Sequence, residues 1–429
     1  MLKRTLRNKI VAFMMAALMM TATMSVNVAA RSDASADDYA RHAAEIQLLN
    51  DALNDHLVAN YGYEFAQNYH IAAQLTYDLL ESFPRSRAGH IMYPECFGGT
   101  YIDAYGNAVF LVTSHMALRR NGNTTELALA SRLDEAVVRY VEFSFNDLWD
   151  MVQMLNAVFM ANPYSYAFQN VDGWFLDVIG NRVVVELDEL SRYQIFMFRS
   201  LIVDSPMIVF RQDSVTFYQD ASKSPSVEHH SVEPFSFTVL PGNMLVQGSL
   251  GYRAMLLGTG EIGFVTAAHV VYDRVTVSEG PIVDRSLWGV DAAFVAVRDG
   301  VQMSNRVFNV YHSNTFAHPF PGHRTMIRGR HGLFSPRFSE IRRIGQTTSS
   351  PADGPFGAVT VFNTVFVYNR NQQFAQQGDS GGIVLSGPQQ TPNTVLGIHL
   401  GTARVNGVPT YGVVSLASEI ERWLGVRVF

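Results

Sequence analysis

From Val239 onward the sequence is a succession of short apolar runs broken by Gly-rich turns: YRAMLLG, IGFVTAA, AAFVAV, AVTVFNTVFVY, GIVLSG and TVLGIHLG. These runs are too short for ordinary globular helices, and their alternation suits strands with one buried face. Many short strands with frequent turns predict an all-β barrel or sandwich, which has to protect its sheet edges. A short helix, Ala417 to Leu424, is expected to close the chain. The only cysteine is Cys96, so neither an intrachain disulfide nor a multi-cysteine metal site can brace the fold. Its stability has to come from core packing or slow unfolding, and Cys96 is expected as a small buried side chain.

The N-terminus has the pattern of an export signal. Lys3, Arg4, Arg7 and Lys9 precede the apolar stretch Ile10 to Met20, and Val28-Ala29-Ala30 supplies small residues at a cleavage site. Residues 1–30 are therefore expected to be a secretory signal peptide removed after Ala30. The apolar stretch is shorter than the roughly 20 residues of a spanning helix, so no membrane attachment is expected after removal. Acidic residues number 38 against 32 basic, a net charge of -6, and the basic residues form no run. A general nucleic-acid footprint is excluded on that basis.

Residues 31–211 read as an α+β region. Ile46, Leu49, Leu53 and Leu57 line one face of a helix, and Leu148, Val152, Leu155 and Phe159 line another over Phe145 to Ala161. Between and after them stand two related segments, GGTYIDAYGNAVFLV (98–112) and DGWFLDVIGNRVVVE (172–186). Gly99, Asp103, Gly106, Asn107 and Val109 of the first match Gly173, Asp177, Gly180, Asn181 and Val183 of the second. Each predicts strand, Gly-Asn turn, strand, hence two related units with Asp103 and Asp177 as turn-makers. Residues 212–236 are rich in Ser, Pro, Gln and acids and read as an exposed linker carrying Lys223, Glu228 and Glu233. The remainder, 237–429, is the β-rich domain.

Three segments of that domain carry chemistry. FVTAAHVV places His269 at the end of an apolar strand, WGVDAAFVAV places Asp291 before another, and QQGDSGGIVL places Ser380 in a Gly-flanked turn. A serine hydroxyl is a weak nucleophile unless an imidazole accepts its proton and a carboxylate holds the imidazole in the right tautomer. Glycine at 378 allows the backbone to aim the N–H groups of Gly378 and Ser380 at one point, as an oxyanion hole requires. Asp273 and Asp284 lie nearer to His269 in sequence, but neither opens an alternating apolar run. His229, His230, His312, His318, His323 and His331 show no metal-ligand spacing. The chemistry asks for no metal or cofactor.

The TAAH, D-A-A and GDSGG segments resemble the chymotrypsin-fold serine peptidases, most closely the secreted bacterial branch of streptogrisins and α-lytic endopeptidase. The resemblance covers roughly 237–429, and the upstream hairpins resemble the pro-regions of that branch, which assist folding and inhibit the enzyme until cleaved. It implies a double β-barrel (chymotrypsin-like) catalytic domain, two six-stranded barrels with the site between them, preceded by an α+β pro-region with an internal repeat. It also implies an extracellular bacterial serine endopeptidase acting on polypeptides, with His269 as general base, Asp291 as its orienting carboxylate and Ser380 as nucleophile. The aspartate beside the nucleophile is Asp379, and the branch pairs it with an arginine in a segment similar to IRRIGQTT, which points to Arg343. The disulfides of the family are absent here, and Phe374 stands where that branch often has cysteine.

Phe374 also takes the place where trypsin-like enzymes carry an acidic residue, which disfavours cleavage after Lys or Arg. The Gly-Ile-His of VLGIHLGT resembles that of glutamyl endopeptidases, so His399 is expected to bind a substrate carboxylate, with Thr402 and Gln377 bordering the pocket. A charge-assisted bond from an imidazole would favour Glu, or Asp, before the scissile bond. Glu228, followed by His229, then offers a self-processing site; Glu233 precedes a proline, and Lys223 offers a route for another protease. Two other readings remain open at this level: a catalytically silent binding protein on the same fold, and a protease whose N-terminal region is a separate interaction module.

Overall fold

The computed structural model describes residues 36–86, 90–113, 136–219, 237–239, 244–245, 248–272, 276–277, 280–297, 301–303, 306–307, 310–329, 337–350, 359–369, 376, 378–387 and 393–429. The expected signal segment and the linker residues Lys223, Glu228 and Glu233 lie outside them.

Two helices, α1 (Ala36–Tyr61) and α2 (Tyr63–Ser82), open the described chain. Gly62 separates them at φ 92°, a conformation that disfavours any side chain. Leu49, Leu53 and Leu57 are buried, as their spacing predicts. Next come β1 (Phe97–Ile102), β2 (Ala108–Thr113) and β3 (Val137–Val141). Helix α3 (Phe145–Ala161) starts at a capping box in which the Asp147 amide donates to Ser144 Oγ and the Ser144 amide to the Asp147 carboxylate. Then follow β4 (Val171–Asp177), β5 (Arg182–Leu187), α4 (Arg192–Leu201), β6 (Ile208–Gln212) and β7 (Val215–Gln219).

Both expected hairpins form. β1–β2 and β4–β5 are antiparallel, and in each case the second strand pairs in parallel with a third, β3 or β6. Asp103 Oδ1 accepts from the Tyr105 and Asn107 amides, and Asp177 Oδ1 from the Gly180 amide. The left-handed residue differs between the turns: Gly106 at φ 84° in the first, Asn181 at φ 52° in the second.

The β-rich half contains β8 (Arg253–Leu256), β9 (Ile262–Thr266), β10 (Gly280–Ser286), β11 (Ala292–Ala296), β12 (Val310–Phe316), β13 (Arg324–Arg328), β14 (Arg337–Ser349), β15 (Thr360–Tyr368), β16 (Ile383–Ser386), β17 (Asn393–Val405) and β18 (Val408–Leu416). Helix α5 (Ala417–Leu424) and β19 (Val426–Val428) end it. One six-stranded sheet runs from Thr276–Val277 through β10, β11, β9 and β8 to β19. In the second set β13 pairs β14, then β15, β18, β17 and β16 follow, and β16 returns to β13. That circuit of hydrogen bonds is closed, whereas the first sheet is an open path among the described residues.

The two halves share backbone. β4 pairs antiparallel with β14, matching Leu176 to Ile344 and Trp174 to Thr347. Gly173 makes the approach possible, since a Cβ there would strike the Thr347 carbonyl. Strand β7 pairs antiparallel with β17. This corrects the expectation of an exposed linker from residue 212: Val215 and Phe217 are buried, alternating with less covered neighbours, so the segment is a strand with one packed face.

Side chains cross the boundary as well. Asn156 Oδ1, on α3, accepts from Trp174 Nε1 at 2.9 Å and Thr347 Oγ1 at 2.7 Å. Arg324 enters the helical layer, donating to Tyr61 Oη at 3.1 Å with its guanidinium 4.4 Å from the Tyr61 ring, while its amide donates to Tyr69 Oη at 2.9 Å. Arg324 also pairs with Glu340 at 2.7 Å.

Next to Arg324, His323 stacks on Phe320 at 4.6 Å. Burial, and then the charge of Arg324, push His323 down from 6.5 to about 4, and His56 down to about 4 for the same causes. Both rings are neutral in the folded chain at neutral pH, while the unfolded chain takes up their protons near 6.5. Their contribution is therefore present above that value and lost as pH falls through about 4. Thermal melts should show a Tm that declines steadily from pH 7 to pH 4, and His323→Phe should flatten the decline; a Tm profile unchanged by that substitution would remove His323 as a contributor.

Candidate active site

His269 follows β9 directly, in a 3₁₀ turn over Ala268–Val270, and Asp291 immediately precedes β11. Because β9 and β11 are antiparallel neighbours, with Thr266 opposite Ala293, the two residues meet at one end of the first sheet. Asp291 uses both oxygens: Oδ1 accepts the His269 backbone N–H at 3.0 Å, and Oδ2 lies 2.5 Å from His269 Nδ1. Both side chains are fully buried. A carboxylate at Nδ1 keeps a proton there, so Nε2 is the nitrogen with a lone pair to offer.

Ser380 sits between Gly378 at φ 97° and Gly381 at φ 86°. A Cβ at 381 would collide with the Thr266 hydroxyl and the Ser249 carbonyl. The turn is clamped on both flanks. On one side the Ser249 amide donates to the Ser380 carbonyl at 2.7 Å, and Ser249 Oγ to the Gly378 carbonyl at 2.8 Å. On the other, the Gly381 amide donates to the His399 carbonyl at 2.7 Å, and the His399 amide to the Gly382 carbonyl at 2.8 Å. Thr266, at the end of the strand leading to His269, donates through Oγ1 to the Ser249 carbonyl at 2.8 Å. The serine turn is thus bonded directly to the second set of strands through His399, and linked to the first sheet through Ser249, which Thr266 holds. Ser380 Oγ itself donates to the Leu400 carbonyl at 2.7 Å.

The buried Asp379 carboxylate pairs with Arg337, Oδ2 to Nη2 at 2.7 Å, and accepts the Gln376 amide at 2.8 Å. This corrects the expected Asp379–Arg343 pair. Arg343 instead binds Glu186 on β5 at 2.5 Å, with its guanidinium 4.3 Å from the Phe175 ring. Both arginines lie on β14, and only Arg337, at its start, reaches the serine turn. Burial raises Glu186 from its ordinary value, and Arg343 and Gln346 oppose that rise.

His399 is buried on β17, next to Leu400, and Thr402 is half-buried on the same strand; Gln377 lies outside the described residues. Asp284 is exposed, its carboxylate accepting the Arg285 amide, and takes no part in the site. Asp273 is outside the described residues. Among the described residues no three His, Cys, Asp or Glu side chains gather as a metal site.

Sequence reasoning missed two participants. Arg337 was hidden by the more conspicuous IRRIGQTT segment. Strand β7 was hidden in polar composition, although Val215 and Phe217 show the period-2 spacing. It places Gln219 Nε2 3.5 Å from Asp291 Oδ2.

Residues 146–213, from α3 through β6, match the family model of a Pro-like C-terminal domain. No curated protein matches the chain in sequence. Among solved structures it is similar to Cellulomonas bogoriensis chymotrypsin, at 21% identity and TM-score 0.34, over 45% of this chain and 99% of that one. A Nocardiopsis protease gives 21% identity and TM-score 0.35, over 45% and 99%. A glutamic acid specific serine protease described as using a novel histidine triad in substrate binding gives 21% and 0.36, over 44% and 100%.

Removing one partner of a buried ion pair costs about 3–5 kcal/mol. Arg337→Met should lower stability by that order and disorder the serine turn. Arg343→Met should cost stability through Glu186 and leave the serine turn in place. Denaturant titration combined with reactivity of Ser380 toward a fluorophosphonate distinguishes the two; equal loss of labelling in both variants would contradict the assignment.

Proposed function

We propose that the chain is a secreted serine endopeptidase made as a zymogen, with residues 1–30 as signal peptide, 31–211 together with β7 as pro-region, and 237–429 as a chymotrypsin-like double-barrel catalytic domain. The observation that carries this reading is Asp291 holding both the backbone and the ring of His269 at the seam that also clamps the Ser380 turn.

In this reading a polypeptide lies along the cleft as an added strand. Ser380 Oγ attacks the carbonyl carbon while His269 Nε2 takes its proton, and Asp291 stabilises the imidazolium. The N–H groups of Gly378 and Ser380 receive the developing oxyanion. Water then hydrolyses the acyl-enzyme with His269 as base. Two features support latency. β7 already occupies the β17 edge on which a substrate strand would pair, and the Ser380 hydroxyl is turned to the Leu400 carbonyl, from which it must swing to serve as nucleophile.

Substrate choice is assigned to His399, with Thr402 and Gln377 at the pocket border, and to Glu or Asp before the scissile bond. A buried imidazole one residue from Leu400 supports this, because a carboxylate entering there would gain a charge-assisted bond.

Ser380→Ala and His269→Ala should each lower peptide hydrolysis by at least about 10³-fold while leaving the protein folded; retained hydrolysis in either would end the peptidase reading. A peptide set varied only before the scissile bond should show Glu and Asp preferred over Leu and Phe, and His399→Val should erase that preference. Equal or faster cleavage after Leu or Phe would leave a peptidase of different specificity.

A further inference from the structure

The second hairpin unit carries a cavity that the proposed catalysis does not use. It opens between α4, the 3₁₀ turn Tyr166–Phe168, the start of β4 and the end of β5. Ala167, Val171, Leu187 and Met197 give it apolar walls, and no charged side chain lines it. Tyr166 and Tyr193 also line it; both are more than half exposed, so their rings form its rim, with the hydroxyls 3.5 Å apart. Counted to its open mouth the cavity measures about 260 Å³, while its enclosed part admits only a water-sized group.

Inside it stands an acceptor that the fold leaves unused. Ser191 and Gln194 have the S-x-x-Q spacing of a capping box at the start of α4. Half of that box forms, with the Gln194 amide donating to Ser191 Oγ at 3.2 Å. The return bond is lost because the Ser191 amide donates to the Glu189 carbonyl at 3.0 Å. Gln194 Oε1 is left buried with no hydrogen-bond partner among the described residues. A buried acceptor without a donor is costly to keep. Asn170 lines the same cavity; its carbonyl accepts the Asp188 amide at 3.2 Å, and its side-chain amide makes no hydrogen bond among the described residues. The residues matching Tyr166 and Asn170 in the first hairpin unit are Met92 and Cys96. The polar lining is therefore not a requirement of the framework that the two units share.

We propose that this cavity binds a neutral pyranose with equatorial hydroxyls, presented by an unbranched β-linked polysaccharide. One hydroxyl enters and donates to Gln194 Oε1, and the Asn170 amide meets its neighbour. The sugar ring lies on the tyrosine rim. Equatorial hydroxyls leave the two faces of a pyranose to C–H groups, which the electron-rich face of a phenol ring attracts. The uncharged lining selects against acidic and amino sugars. An interior that takes one hydroxyl has no room for a Leu or Phe anchor, which sets an apolar peptide aside. The site makes the N-terminal region a carbohydrate-binding module, and it holds whether or not Ser380 is a nucleophile.

The test uses residues 31–429 carrying Ser380→Ala, so that the chain stays whole. Titration calorimetry and tyrosine fluorescence follow cellotetraose and chitotetraose, which separate a glucan from an N-acetylated source. Mannotetraose, with an axial hydroxyl, is the comparison. The expected result is saturable binding of at least one of the first two, and weaker binding of the third. Gln194→Met and Tyr193→Ala should each weaken binding at least about tenfold, the loss of one hydrogen bond or one stacked ring. Tyr105→Ala, an exposed tyrosine of the first unit, should leave it unchanged. Gln194→Met should also keep or raise Tm, because it removes an unpaired acceptor. No saturable binding of either sugar overturns the proposal. So does binding that survives both cavity substitutions, or that Tyr105→Ala abolishes equally. A clear fall in Tm for Gln194→Met would make the amide structural and overturn its role as the ligand's acceptor.

Discussion

The hydrogen bonds between β14 and β4 make one sheet out of what composition divides into two regions, and much else is arranged around that junction. Arg343 lies inside it, bonded to Glu186 and faced by Phe175, Phe366 and Tyr411. Gln346 donates to the second oxygen of Glu186, so the carboxylate is bonded from two residues of β14. Taking such charges out of water is costly, and the pair is weak evidence for stability in itself. Its effect is on alignment. A one-residue slip of β14 against β4 would turn Arg343 to the opposite face and leave Glu186 buried without its counter-charge. Because β14 also begins with Arg337, the same alignment fixes where the Asp379 counter-charge stands.

The serine turn depends on neighbours from two sheets. Ser249, itself held by Thr266, grips it from the side of His269, and the backbone of His399 grips it from the side of the barrel. No disulfide is available to lock the loop, so glycines and carbonyl partners do that work. The backbone is held in place while the hydroxyl remains directed at Leu400.

Much of this was legible in the sequence because it is local. GDSGG announces a tight turn, and an apolar strand running into His269 or out of Asp291 places each at a strand end. The Gly-Asn turns and the helix faces of Leu49, Leu53 and Leu57 are likewise short-range signals. What the sequence hid are choices between distant partners. Arg337 and Arg343 are both arginines on one strand, and only the register decides which meets Asp379 and which meets Glu186. Strand β7 carries a two-residue apolar alternation amid Ser, Gln and Asp, too brief to outweigh its surroundings. Its pairing partner lies far along the chain, where no local pattern points.

The N-terminal region holds the barrel at two separate strands, β4 on β14 and β7 on β17. Attachment at two points behaves as bivalent binding: when one contact opens, the other keeps it at a high effective concentration, in the millimolar range for a short tether. Each grip can be modest while the pair has a long residence time. Only two breaks, one between β6 and β7 and one after β7, would turn one bivalent ligand into two monovalent ones, and the occupant of the cleft would then exchange as freely as any short peptide.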